Sequence, residues 1–151
     1  MRIAIEALAL IPGKTGGIET YVRNLVNEML RIAPQNDYLV AVGFEGRNQF
    51  TAAAANLEEF NAEASCRSDP KGHRFMRTMY QCWRLQEKLR RWRHDILHCT
   101  MSFPKPVWGA KNMVVTIHDL GYLDIAPMWR DAKPRLAAFL VWLSTREARL
   151  V

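Results

Sequence analysis

The chain has 151 residues, 49% hydrophobic and 24% charged, the make-up of one globular domain and not of a disordered or low-complexity chain. Lys and Arg number 21 against 15 Asp and Glu, a formal charge of +6, which favours anionic partners such as a nucleotide, a pyrophosphoryl lipid, a membrane surface or nucleic acid. No stretch reaches the roughly 18 apolar residues of a membrane span, and neither the cysteines (Cys66, Cys82, Cys99) nor the histidines (His73, His94, His98, His118) have disulfide-framework or zinc spacing.

In chain order, Arg2 to Ala7 reads as a short strand. Glu6 interrupts the apolar N-terminal run, so a secretory leader is not expected. Gly16 and Gly17 come next, and then Ile18, Tyr21, Val22, Leu25, Val26, Met29 and Leu30 recur at the spacing of an amphipathic helix, which should end between Arg31 and Pro34. Strand, glycine turn and helix in succession aim unpaired N–H groups and the positive end of a helix dipole at whatever lies over the strand end. The bland alternative is a tight strand-to-helix turn. A P-loop is excluded because the glycine required five positions before Gly13 is Leu8, and the dinucleotide fingerprint does not fit Gly13 to Ile18 either.

Tyr38 to Gly43 is a continuously apolar run, expected as a strand buried on both faces. Residues 45–48 read as a loop, 49–59 as a short helix, Phe60 to Ala64 as a brief edge strand and 68–72 as a loop. The longest helical pattern covers 73–93, with Phe75, Met79, Trp83, Leu85, Leu89 and Trp92 among many Arg and Lys. Asp95 to Cys99 and Asn112 to His118 read as strands, 107–111 as a connection and 122–129 as a loop crossing the rim. A last helix is expected over 130–150, with Pro134 in its first turn. Strands alternating with helices imply an α/β, Rossmann-like doubly wound parallel sheet. In such sheets ligands bind beyond the carboxyl ends of the strands, where strand order reverses. The loops that this rule selects carry Gly16 and Gly17, Thr100, Met101 and Ser102, and His118 and Asp119.

Those three stretches also carry a resemblance. Gly16-Gly17-Ile18-Glu19-Thr20-Tyr21-Val22-Arg23-Asn24-Leu25, the run from Asp95 to Pro106, and Val114 to Leu120 together resemble the N-terminal half of the retaining, nucleotide-sugar-dependent glycosyltransferases of family 4, mannosyltransferase-like members included. The resemblance implies the first of two Rossmann-like domains of a GT-B enzyme, the one that mainly receives the acceptor. It implies a hexose moved from a nucleotide-diphosphate sugar to a glycan or lipid-linked acceptor in polysaccharide biosynthesis, with no cofactor and no metal. Gly16 and Gly17 would then face the donor diphosphate and sugar, and His118 with Asp119 would contact the transferring sugar and shape the acceptor side. Thr100, Met101 and Ser102 would lie on the acceptor side. Read without the family, His118 is a strand-end histidine that packs a neighbouring loop, with Asp119 capping the next segment. His98 is expected to pack or orient a loop, and His73 and His94 to be solvated.

The family's donor-binding Arg, Lys and Glu-x₇-Glu segment has no counterpart after His118. Residues 1–151 are therefore expected to be the acceptor-side domain alone, truncated before its last strand or strands, inactive by itself and prone to self-association along its last strand. A different class stays open: a non-catalytic half-domain that binds an anionic ligand or a partner chain. The segment 71–93 holds Lys71, Arg74, Arg77, Arg84, Lys88, Arg90, Arg91 and Arg93 against Glu87 alone. Its first reading is a core stripe with a solvated basic face. Peripheral membrane contact comes second, and nucleic acid is not expected because no nucleic-acid module fits. Structural thiols and this pattern place the chain in the cytoplasm, with the inner membrane face as the surface that it would meet.

Overall fold

The computed structural model describes residues 1–50, 54–62, 74–100 and 112–118, together with 142, 145, 146 and 148, and of these 74–79 as backbone only. Five strands and two helices succeed one another as β1 (Arg2–Ala7), α1 (Gly17–Ile32), β2 (Asp37–Val42), β3 (Leu57–Asn61), α2 (Arg74–Trp92), β4 (Ile96–Cys99) and β5 (Met113–Val115). All neighbouring strands are parallel. Their order is β3-β2-β1-β4-β5. The chain winds outward from β1 to β3, returns through α2, and continues on the other side of β1, so strand order reverses between β1 and β4. This is the Rossmann-like doubly wound sheet that the alternation implies.

Side-chain alternation along the strands sorts the core into two layers. Ile3, Ile5, Ala7, Tyr38, Val40 and Val42 meet Val22 and Val26 of α1. Ala4, Leu39, Ala41, Leu97, Cys99, Met113 and Val115 meet Leu85 and Leu89 of α2. Apart from buried Glu6 in β1, the buried stretches of β1 and β2 are apolar because both faces are covered, as parallel sheets require. Helix α1 ends where the Tyr38 hydroxyl takes up two terminal carbonyls, donating towards Met29 O and Ala33 O, both at 2.9 Å. At the amino end of β1, the backbone N–H of Arg2 donates to Asp95 at 2.8 Å and the Met1 ammonium to Asn36 at 3.0 Å.

Three expectations need correction. The helix expected over 49–59 does not cover Leu57 to Glu59, which open β3 and pair with β2 from Tyr38↔Leu57 to Val42↔Asn61. Ladder pairing with the apolar β2 outweighs the helix-favouring alanines before it. Glu59 stays within the strand because its carboxylate accepts two backbone N–H groups from the preceding turn, Asn48 at 2.6 Å and Phe50 at 2.8 Å. β3 is an edge strand, as expected, but starts three residues earlier than Phe60. β5 ends at Val115, short of His118, because its partner β4 ends at Cys99 (Cys99↔Val115). Lastly, His94 is not solvated: Nδ1 lies 3.3 Å from Leu89 O, and Nε2 is buried. The loops expected at 68–72, 107–111 and 122–129 lie outside the described residues, and so does nearly all of the helix expected over 130–150.

Candidate functional site

β1 leads into a turn whose backbone is set by glycine. Gly13 has φ +71° and Gly16 has φ +52°; with ψ −121°, Gly16 occupies a conformation that a Cβ strongly disfavours. Gly16 is the N-cap of α1 without any side-chain cap. The turn is braced from within the helix. Glu19 Oε2 accepts the Gly13 N–H at 2.7 Å, and Oε1 accepts Arg23 Nε and Nη2 at 3.0 and 2.9 Å. The Gly13 N–H and then the Arg23 guanidinium hold the Glu19 carboxyl below its usual range. Arg23 reaches on to Gln49. Gly16 and Gly17 remain exposed, with open space where a Cβ would stand, and their backbone N–H groups have no partner among the described residues. The turn is preformed, and it leaves two exposed glycines at a helix amino end.

The other side of the crevice is closed by Thr100, directly after β4. It is fully buried, at 0% exposure. Its hydroxyl donates to Glu6 O at 2.7 Å and its N–H to the same oxygen at 3.3 Å, which fastens the exit of β4 to the exit of β1. Contact between the Thr100 side chain and an acceptor does not fit this burial. What Thr100 presents is its carbonyl, which accepts from His118 Nε2 at 2.7 Å. A carbonyl only accepts, so the His118 proton sits on Nε2, and in the neutral ring Nδ1 carries the lone pair. The Tyr21 ring of α1 meets the His118 ring edge-on, with centroids 5.0 Å apart at 83°.

Strand parity explains who else is present. Leu97 and Cys99 face α2, so His98 faces α1, beside Ile5 in the register. His98 Nε2 lies 2.8 Å from Thr116 Oγ1, and the same oxygen lies 3.0 Å from the Tyr21 hydroxyl. Burial lowers the affinity of His98 for a proton. His98 thus orients a neighbour, as its position in the sequence suggests. On the opposite face Glu6 is buried at 1% exposure, with Oε1 accepting the Leu8 N–H at 3.0 Å. Burial, and then the Glu6 charge, push the Cys99 thiol well up, and Cys82 and Cys99 are both buried thiols outside any disulfide.

The structure therefore gathers Gly16, Gly17, Thr100 and His118 at the carboxyl ends of β1, β4 and β5, at the switch point. Met101, Ser102, Asp119 and Cys66 lie outside the described residues. Three further site residues, Tyr21, Thr116 and Glu19, are not singled out by the sequence pattern. Tyr21 falls on the apolar rhythm of α1, and a threonine near the end of a strand is ordinary. Glu19 does carry a signal, an acidic residue in the first helical turn next to a glycine loop. Among the described residues no three His, Cys, Asp or Glu side chains converge in a metal-binding group.

Helix α2 lies away from this crevice in its chemistry. Cys82, Leu85 and Leu89 are buried and Trp92 packs against the core that holds the two leucines, a core stripe as expected, but Trp83 of the same helical pattern does not join it. The basic face is partly neutralised within the fold, since Lys88 pairs with Glu58 of β3 and Glu87 pairs with both Arg91 and Arg84. Trp83 stays 59% exposed one helical repeat from exposed Arg90. No helix among the described residues is long and apolar enough to cross a membrane.

The family model described as Glycosyltransferase Family 4 matches residues 15–151, well over half of the chain. No curated protein matches the chain.

Proposed function

Because the chain belongs to glycosyltransferase family 4, we propose that it is the acceptor-side domain of a retaining hexosyltransferase, mannosyltransferase-like in its donor, that moves sugar from a nucleotide diphosphate to a glycan or lipid-linked acceptor. The observation that carries this reading is the convergence of three elements at one switch point. Two exposed glycines, Gly16 and Gly17, lie at the exit of β1, Thr100 lies at the exit of β4, and a histidine with its proton on Nε2 lies beyond β5.

The chemistry rests on that arrangement. Negative charge builds on the diphosphate as it leaves, and backbone N–H groups at a helix amino end stabilise such charge without having to reorganise. Gly16 and Gly17 suit this because nothing projects from them to hold an anion at a distance. His118 holds its proton on Nε2 against Thr100 O, which fixes the imidazole at the strand end where a sugar hydroxyl would meet it. A hydrogen bond there would orient the transferring sugar and leave its anomeric carbon open to the acceptor. Asp119 would belong beside it. Thr100 serves by holding His118, and Met101 and Ser102 would take the acceptor side. Transfer would need a second, donor-binding domain facing this crevice, and a metal has no assigned step in it.

The test is His118→Ala in a protein that joins this domain to a donor-binding domain. Turnover should drop by roughly 10²–10⁴ if the imidazole positions a reacting group, with the thermal midpoint nearly unchanged. Unaltered turnover would return His118 to a packing role. It would favour the other reading, a half-domain that binds an anionic ligand or a partner chain without catalysis.

A further inference from the structure

We propose that Tyr21 is a positioning residue for His118, and that it acts through a hydroxyl chain running from Tyr21 through Thr116 to His98. The inference rests on the reading of His118 as the group that meets the donor sugar. His118 is fastened at one ring nitrogen by its bond to Thr100 O at 2.7 Å. A bond of this kind still allows a planar ring to rock about the donor–acceptor line. The Tyr21 ring, 5.0 Å away and nearly perpendicular at 83°, walls one side of that motion in the edge-to-face geometry that aromatic rings favour. The Tyr21 side chain packs on the core beneath α1, and its hydroxyl is anchored as well. The anchor is Thr116 Oγ1, 3.0 Å from the Tyr21 hydroxyl.

Thr116 stands two residues before His118, on the segment leaving β5, so the bond ties α1 directly to the backbone that carries the histidine. Behind Thr116 stands His98, whose Nε2 is 2.8 Å from the same oxygen. A hydroxyl has one proton to give and can also accept, so two arrangements close the chain. Tyr21 can donate to Thr116 and Thr116 to His98, or His98 can donate to Thr116 and Thr116 to Tyr21. Either way Thr116 both donates and accepts, and a polar network joined in this way rigidifies what it links. Two of the holds on His118 can thus be traced. One hold runs through Thr100 to Glu6 O at the exit of β1, and the other through Tyr21 to Thr116 and His98. A tyrosine that merely packed α1 on the sheet would need neither the hydroxyl nor its partner.

The readout is the ratio of Nε2–H to Nδ1–H tautomers of His118, taken from long-range proton–nitrogen correlations of the imidazoles in the full 151-residue chain. Wild-type His118 should be in the Nε2–H form. Tyr21→Phe keeps the ring and removes the hydroxyl, and Thr116→Val keeps the shape and removes the shared oxygen. Both should lower the ratio by about threefold to tenfold, the factor that one ordinary hydrogen bond carries, and Thr116→Ser should restore it. An unchanged ratio in either Tyr21→Phe or Thr116→Val overturns the proposal, and so does a Thr116→Ser protein that behaves like Thr116→Val. The tautomer ratio is read without any sugar donor, so the outcome is separable from whether the chain serves in glycosyl transfer.

Discussion

His98 and His118 belong to one cluster but are constrained differently. His118 is fixed by a carbonyl, which sets where its proton lies. His98 is fixed by burial, which sets how readily it takes a second proton: its affinity for one is lowered in the fold. The unfolded chain binds that proton near the ordinary histidine value of about 6.5, and the folded chain only at lower pH. Below about 6.5 the unfolded state therefore binds more protons, and stability falls as pH falls. The contribution of neutral His98 is complete above that range and is lost on acidification. In urea titrations between about pH 7.5 and 5.5, wild type should lose stability faster than His98→Gln, so that the gap between them narrows. A gap that does not change with pH would mean that His98 protonates as easily in the fold as out of it.

Among the elements, the strand-to-helix turns are where backbone and side chain compete for space. Gly43, at the exit of β2, lies against the backbone of the turn after β1, and a Cβ added there would stand 2.5 Å from Leu8 O. Because this neighbour is backbone, relief requires moving the turn itself. Gly43→Ala should cost about 1–3 kcal/mol or more, as overpacked sites do, read as a lower urea midpoint. Retained stability would show that the Leu8 turn yields easily. Gly17 is the opposite case, because a Cβ there meets nothing. Most of these elements are legible in the sequence, since a largely apolar run marks β1, a continuous one marks β2, and the helical rhythm marks α1 and α2. β3 is legible only from Phe60, because Glu58 and Glu59 break the apolar character of its first half, and the reasons that they are tolerated lie elsewhere in the chain. One is a lysine on α2, and the other is a pair of amides in the turn before the strand. The site divides in the same way. Gly16, Gly17 and His118 stand out as motif residues at predicted loop positions. The partnership of Tyr21 with Thr116 spans 95 positions, and no local pattern announces it.

At the scale of the molecule, the order β3-β2-β1-β4-β5 places one rim of the sheet in charge of ligand chemistry. That rim collects the exits of β1, β4 and β5, while the opposite rim is closed by structural bonds such as Asp95 with Arg2 N–H and Asn36 with Met1. On the proposed function, the switch-point crevice is the face that meets a nucleotide-diphosphate sugar. The most direct test is to follow the backbone amides of this domain by NMR, joined to a donor-binding domain, as GDP-mannose is added, with inorganic pyrophosphate as the anion-only comparison. Gly16, Gly17, Thr100 and His118 should shift together with GDP-mannose, while Asn36, Asn56 and Arg93 at the far rim stay still. Gly17→Ala, which nothing in the fold opposes, should weaken the response. Shifts confined to α2 or the far rim, or a Gly17→Ala protein that responds as wild type does, would contradict that assignment of the crevice.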